Sequence, residues 1–161
     1  MEIRRIRPDD DLLLAGQIVV DAYTALDDYP GEDEYEAMMR DVGARMHEVD
    51  VVVAVLGGRI VGCLTFVGDP SSTHAEHGDA DAASFRYFGV DRSVQGAGVG
   101  TAMVQWCIGE ARRLGRQRLR IHTLTMMTSA QRLYTRLGFV RDLDHDEDWD
   151  GIVGLAYRLD L

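Results

Sequence analysis

The 161-residue chain is expected to fold as a mixed α/β domain, a sheet with helices on its faces. Three observations predict this. Strand-like runs alternate along the chain with segments of helical apolar periodicity. One strand, glycine loop, helix and strand succession has the form of a parallel crossover, whose hand is expected to be right. The composition, 46% hydrophobic and 27% charged, is that of a globular chain with a packed core.

Each element has its own local reason. Glu2–Arg7 alternates apolar and charged residues as a strand does, and Pro8-Asp9-Asp10-Asp11 supplies turn and helix-start chemistry for an apolar-rich helix over Leu12–Ala25. Asp27–Glu36 is acidic, contains Pro30-Gly31, and reads as a loop. It feeds a surface helix over Glu34–His47, with Met38, Val42 and Met46 at i, i+4 and i+8. Val51–Leu56 and Arg59–Val67 are β-branched runs joined by Gly57-Gly58, the pair that a type I′ hairpin turn needs for positive φ at both positions.

Asp69–Ala83 is small, polar and acidic, a loop, and Ser84–Val90 is the next strand. Thr101–Leu114 places Met103, Cys107, Ala111 and Leu114 on one helical stripe, and Leu119–Thr125 returns as a strand with Leu119, Ile121 and Thr123 on one side. A helix over Ser129–Leu137 is expected to open with a capping box, Thr128 with Gln131 reaching back, and to end at a left-handed Gly138. Phe139–Arg141 and Ile152–Leu159 are short strands joined by the acidic Asp142–Asp150. The order is β-α-α-β-β-β-α-β-α-β-β, and with no repeat or Pro/Ser-rich linker to divide it, residues 1–161 read as one domain.

Composition excludes several function classes. A chain of this length buries roughly 70% of its unfolded surface, so Cys63 and Cys107 read as buried free thiols instead of a disulfide framework. No run approaches the ~20 apolar residues of a membrane span, and Met1-Glu2-Ile3-Arg4-Arg5 lacks a signal peptide's apolar run, so a cytoplasmic location and no membrane partner are expected. Seventeen basic against twenty-seven acidic residues leave a net charge of −10, which argues against a nucleic-acid partner. All the basic residues are arginine, because the chain contains no lysine.

The most informative stretch runs from Phe88 to Thr101, FGVDRSVQGAGVGT. Glycines allow tight turns that present several amides to one point, and the following helix adds the partial positive charge of its N-terminus, an arrangement suited to pyrophosphate. Without a lysine, a P-loop is excluded. A dinucleotide fingerprint is disfavoured, because Gly96, Gly98 and Gly100 run as G-x-G-x-G and Leu119–Thr125 holds no carboxylate.

Gln95-x-x-Gly98-x-Gly100 after a strand, followed by Ala130-x-x-Leu133-Tyr134-x-x-Leu137-Gly138-Phe139, resembles the GNAT superfamily of acetyl-CoA-dependent N-acetyltransferases across essentially the whole chain. That resemblance implies a mostly antiparallel sheet of about seven strands with a splayed parallel central pair and helices on both faces. It implies acetyl-CoA as acyl donor, with the pantetheine arm along Phe88, Gly89 and Val90 and the pyrophosphate held by Gln95, Gly96, Ala97, Gly98, Val99, Gly100 and Thr101. Gly89 fits a bulge, and an amide near Phe88 is expected to donate to the thioester carbonyl. Tyr134 matches the family's tyrosine that protonates the departing thiolate. This chain departs from the pattern in three places, with Gln95 where arginine is common, Met127 where asparagine is common, and Ser84 at the position of a frequent glutamate base.

The general base is therefore open between a water ordered by Ser84 and a carboxylate from Asp27–Glu36 or Asp142–Asp150. In the family the loops holding these two segments line the acceptor entrance. Their charge, with Tyr23, Tyr29, Tyr35 and Trp149 as aromatic faces, suits a small cationic amine. Acetylation of a peptide amine and an acyl-CoA-binding module without turnover are the alternatives. No metal is expected, since His74-x-x-His77 lacks ligand spacing. His122 reads as a sheet-face residue, the arginines from Arg112 to Arg120 as a charged surface, and a strand edge near the C-terminus as a possible homodimer contact.

Overall fold

The computed structural model describes residues 1–76 and 78–161. Strand β1 is Glu2–Arg5 and helix α1 Leu12–Thr24, capped by the Asp11 side chain on the Leu14 amide at 2.9 Å. Asp10 fixes the turn between them, accepting from both Arg4 guanidinium nitrogens (2.7 and 2.8 Å) and from the Arg7 amide (2.7 Å).

The single helix expected over Glu34–His47 is two, α2 (Asp33–Arg40) and α3 (Val42–Arg45). Asp41 interrupts it by capping the Ala44 amide, while buried Arg45 reaches back to the carbonyls of Met38 and Met39 and so satisfies the end of α2. The break changes the buried face: Met39 is fully buried, whereas Met38, on the expected stripe, is exposed.

Strands β2 (Asp50–Leu56) and β3 (Arg59–Val67) form the hairpin, with φ of 57° at Gly57 and 79° at Gly58 as the turn requires. Then come β4 (Ala82–Val90), a 3-10 turn at Arg92–Val94, α4 (Val99–Arg113) and β5 (Arg118–Leu124). Helix α5 (Thr128–Arg136) precedes β6 (Val140–Arg141), and β7 (Glu147–Trp149) forms a hairpin with β8 (Ile152–Asp160). β7 lies within the acidic segment that reads as a loop, where its three exposed residues carry no apolar alternation.

The sheet order is β1-β2-β3-β4-β5-β8-β6, with β7 also on β8. β4 and β5 are the parallel pair and every other pairing is antiparallel. This is the mixed, mostly antiparallel sheet that the resemblance implies, with eight strands instead of about seven. The last strand is internal, and the edge beyond it is the two-residue β6. None of the helices among the described residues is long and apolar enough to cross a membrane.

Alternation along β2 feeds two cores, Val52 and Ala54 toward α4 and Val51 and Val53 toward α1 and α2. On the second face the packing is close enough to dictate glycine: a Cβ on Gly16 would lie 2.1 Å from the Arg40 carbonyl oxygen. Alanine in a helix interior ordinarily stabilises relative to glycine. At this position overpacking reverses the sign, and Gly16→Ala is expected to lower urea stability by about 1–3 kcal/mol at constant m value; an increase would contradict the packing.

Candidate functional site

The site begins where two strands part. β4 and β5 pair only from Ala82–Ser84 to Arg118–Arg120, after which β4 stays on β3 while β5 stays on β8. The cause lies in β4, where Tyr87 and Phe88 together oppose Leu64 and Tyr87 takes a positive φ of 52°. Such a two-against-one bulge bends the strand that carries it. The bulge therefore precedes Gly89. Glycine at 89 serves a different need, since a Cβ there would lie 2.7 Å from Val19 Cα in α1.

β4 leads into the glycine loop through Asp91, whose carboxylate accepts from the Ser93 amide at 2.9 Å and pairs with Arg59. Gly96 and Gly98 take φ of 85° and 82°, and Gly98 starts α4. Among the described residues, the amides of Gly96, Gly98, Val99, Gly100 and Thr101 donate to no protein acceptor. Gln95, Gly96, Ala97 and Gly98 are exposed around them. Val99 is buried in the core, which limits its contact with any ligand to its backbone.

Tyr134 is buried beside the gap, its ring 5.9 Å from Phe85, 5.7 Å from Phe139 and 6.1 Å from Tyr157. Burial, with the Cys107 sulfur adding to it, pushes the Tyr134 hydroxyl well above the ordinary phenol range. The tyrosine thus stays protonated at neutral pH. The expected capping box is absent: Met127 precedes the first turn of α5, and Gln131 Nε2 instead donates to the carbonyls of Leu124 (3.0 Å) and Thr125 (3.2 Å). This ties α5 to the end of β5, while Gly138 ends the helix with φ of 94° as expected.

On the side of the gap facing α1 lies a cavity of about 630 Å³. Tyr23, Tyr29, Tyr35 and Trp149 all line it, as do Glu32, Glu147 and Asp150 from the two acidic segments. The remaining acidic residues of those segments do not line it; Asp142 is buried against Arg120 and His145, and Asp146 pairs with Arg141 at 2.5 Å. Burial pushes the Tyr35 hydroxyl up to about 12.

Three further lining residues escape sequence reading: Glu76, Arg86 and His122. Arg86 pairs with Glu76 at 3.1 Å and stacks 4.3 Å above the Tyr87 ring. His122 sits with Nδ1 3.6 Å from Glu76 and Nε2 2.9 Å from the His145 carbonyl oxygen, beside the edge of Trp149 at 5.4 Å. Strand alternation is the signal for His122, because burying Leu119 and Ile121 toward α4 turns residue 122 to the opposite face. Nothing local marks Glu76.

Other expectations resolve plainly. Ser84 is buried and is not on the cavity lining. His77 lies outside the described residues, and His74 is 2.6 Å from Glu48. No group of three metal-ligating side chains occurs among the described residues. The arginine surface is largely committed: Arg113 bonds Glu110, Arg116 the Gly68 carbonyl, and Arg118 and Arg120 share Asp79. Cys63 and Cys107 are free and buried, and burial pushes the Cys63 thiol up to about 12.

Residues 18–139 match the model of the acetyltransferase (GNAT) family. The fold is similar to that of a GCN5-related N-acetyltransferase from Kribbella flavida, at 20% identity and TM-score 0.75 over 99% of this chain and 97% of that one. It is similar to a ribosomal-protein-alanine N-acetyltransferase from Brucella melitensis at 18% identity, TM-score 0.71 and full coverage of both chains. It is also similar to yncA from Salmonella typhimurium, solved with its cofactor acetyl-CoA, at 22% identity and TM-score 0.70 over 100% of this chain and 94% of that one. No curated protein matches by sequence.

Burial lowers the His122 pKa, but Glu76 and the His145 carbonyl more than compensate, leaving it raised above 6.5. A raised folded-state pKa stabilises the fold below the unfolded value, and the stabilisation fades as pH rises through the folded value. The thermal midpoint of the wild type relative to His122→Gln is therefore expected to fall as pH rises from 6.5 upward. A pH-independent difference would contradict the assigned environment.

Proposed function

The chain belongs to the acetyltransferase (GNAT) family, and from that premise we propose that it transfers acetyl from acetyl-CoA directly to a primary amine on a small cationic acceptor, working as one domain. The observation that carries the reading is the gap between β4 and β5, which brings unpaired amides, a buried tyrosine and an acidic aromatic cavity to one opening.

The residues present fit the donor. An ideal Cβ at Gly96 or Gly98 meets nothing within 4 Å, so the space above the loop is open to a pyrophosphate. Five amides without protein acceptors and the start of α4 would hold it, which suits an anion on a protein that carries no lysine. Past Ser84 the β4 edge is free of β5, and Phe88, Gly89 and Val90 would pair there with the pantetheine arm. When bound, the donor supplies an activated thioester. An amide near Phe88 would then stabilise charge developing on its carbonyl oxygen.

Tyr134 would donate its proton to the departing sulfur, a role that requires a phenol still protonated at working pH. The cavity sets four carboxylates, Glu32, Glu76, Glu147 and Asp150, against one guanidinium, and its aromatic walls offer faces to an ammonium. Its volume favours a small amine over a protein terminus such as that in the Brucella protein's name. Met127 keeps a structural contact, its sulfur accepting from Thr123 at 3.3 Å, so the departure from asparagine leaves the start of α5 anchored.

Two measurements test the reading. Calorimetry with acetyl-CoA is expected to show binding that Gly98→Asp, still folded by circular dichroism, weakens by more than about 100-fold through like-charge repulsion. Undiminished affinity would remove the pyrophosphate from this loop. In thiol-release assays Tyr134→Phe is expected to lower kcat by about 100-fold while coenzyme A affinity stays the same. Wild-type turnover in that variant would reassign the proton donor.

A further inference from the structure

We propose that Trp149 is a specificity-determining residue for the acceptor and that Gly154 positions it: the indole fills the space a side chain at 154 would take and walls the cavity on its β8 side, admitting compact amines and excluding those whose far end extends over β8. This rests on the acetyl-transfer reading and deepens it, naming the limit on the amine's size.

Strand pairing explains why the ring lies there. Asp150 and Gly151 take φ of 55° and 91°, both positive as a type I′ turn needs, and the Gly151 amide donates to Asp148 Oδ1 at 2.6 Å. The turn sets the register of β7 on β8, with Trp149 opposite Ile152 and Glu147 opposite Gly154. Gly154 is therefore the diagonal neighbour of Trp149 on the same face of the sheet, within reach of an aromatic side chain. That face is the α1 side, because Leu155, Tyr157 and Leu159 pack with the α4 core and the alternate residues of β8 turn away from it. Ile152 accordingly lines the cavity with Trp149.

Gly154 itself is buried beneath the ring. A Cβ there would lie 2.5 Å from Trp149 Cη2, 2.7 Å from Cζ3 and 3.0 Å from Cζ2. Its φ is not positive, so the backbone conformation makes no demand for glycine; the demand comes from the indole.

The ring is fixed from two further directions. Its Nε1 donates to Glu147 Oε2 at 2.7 Å, and it stands nearly perpendicular to His122, with 5.4 Å between centroids and 77° between planes. Yet Trp149 is still 38% exposed and joins neither core. A large ring held in one place on a cavity wall, outside the packing that stabilises the fold, limits what the cavity accepts. The carbon-by-carbon discrimination of apolar pockets, about 10- to 200-fold per methylene, sets the scale of that limit.

The test compares acceptors in pairs that share a reacting primary amine: propylamine with 3-phenylpropylamine, and 1,4-diaminobutane with its N-benzyl derivative. The wild type is expected to favour the compact member by about tenfold or more in kcat/KM. Trp149→Ala, still folded by circular dichroism, is expected to cut that preference about tenfold by raising kcat/KM of the larger member, with coenzyme A affinity unchanged. Gly154→Ala, whose methyl lifts the ring from β8 into the cavity, is expected to raise KM for the compact amine about tenfold, yet to change it by less than about twofold when residue 149 is already alanine. A glycine needed only for the strand would cost the same in both backgrounds. Trp106 packs on Phe66 in the α4 core, and in a Trp106→Phe background Trp149 is the remaining tryptophan, whose emission maximum Gly154→Ala is expected to shift. A size preference that survives Trp149→Ala, an equal cost of Gly154→Ala with and without the indole, an unmoved emission maximum, or refusal of both compact members by a wild type that acetylates other amines would overturn the proposal while leaving acetyl transfer intact. No thiol release by the wild type from any amine would overturn the transfer reading and this proposal with it.

Discussion

Backbone groups that leave a strand ladder must find other partners, and in this protein that requirement falls on β4 beyond Ser84. The bulge at Tyr87 and Phe88 turns β4 from β5 while its pairing to β3 resumes at Gly89, so one edge stays in the sheet and the other opens. The fold around the gap holds it apart. α1 approaches β4 so closely that residue 89 must be glycine, and Gln131 fastens α5 to the end of β5. Closing the gap would require moving both faces of the sheet together.

The charge distribution follows from this geometry. A chain of net charge −10 is a poor partner for a polyanion if it relies on side chains, and its arginines are largely spent on carboxylates: Arg5 and Arg113 on Glu110, Arg118 and Arg120 on Asp79, Arg141 on Asp146. Backbone amides at the start of α4 bring positive potential without a cation, so an anion site proposed there need not resemble a basic patch. The carboxylates that remain are then available to the opposite end, where Glu32, Glu147 and Asp150 converge on the cavity.

How much of this was legible in sequence depends on whether local chemistry or tertiary contact decides. Gly57-Gly58, the start of α1 and the glycine loop were readable because turn and cap geometry restrict which residues fit. The break at Asp41 was not, because Arg45 must fold back onto Met38 and Met39 for α2 to end there. The capping box failed for a similar reason, with Gln131 drawn to β5 carbonyls instead of its own helix start. In the site, the aromatic and acidic lining was legible as composition, and His122 only as the silent half of an alternating strand. Glu76 reaches the cavity from a polar loop whose sequence carries no period, and only the folded chain brings it to β5.

Two buried titratable groups, Tyr134 and His122, show how local surroundings set protonation on the two sides of the sheet. Tyr134 sits in an apolar setting among Phe85, Phe139 and Tyr157, where desolvation disfavours the phenolate and keeps the hydroxyl protonated. His122 is also shielded from water, yet carboxylates and a carbonyl favour its charged form and draw its pKa upward from 6.5. Burial alone would push the two groups toward neutral forms alike; what distinguishes them is the polar company each keeps. The parted strands thus border a protonated tyrosine in the α4-side core and an imidazole on the cavity beside α1, each with its pKa set by its own surroundings.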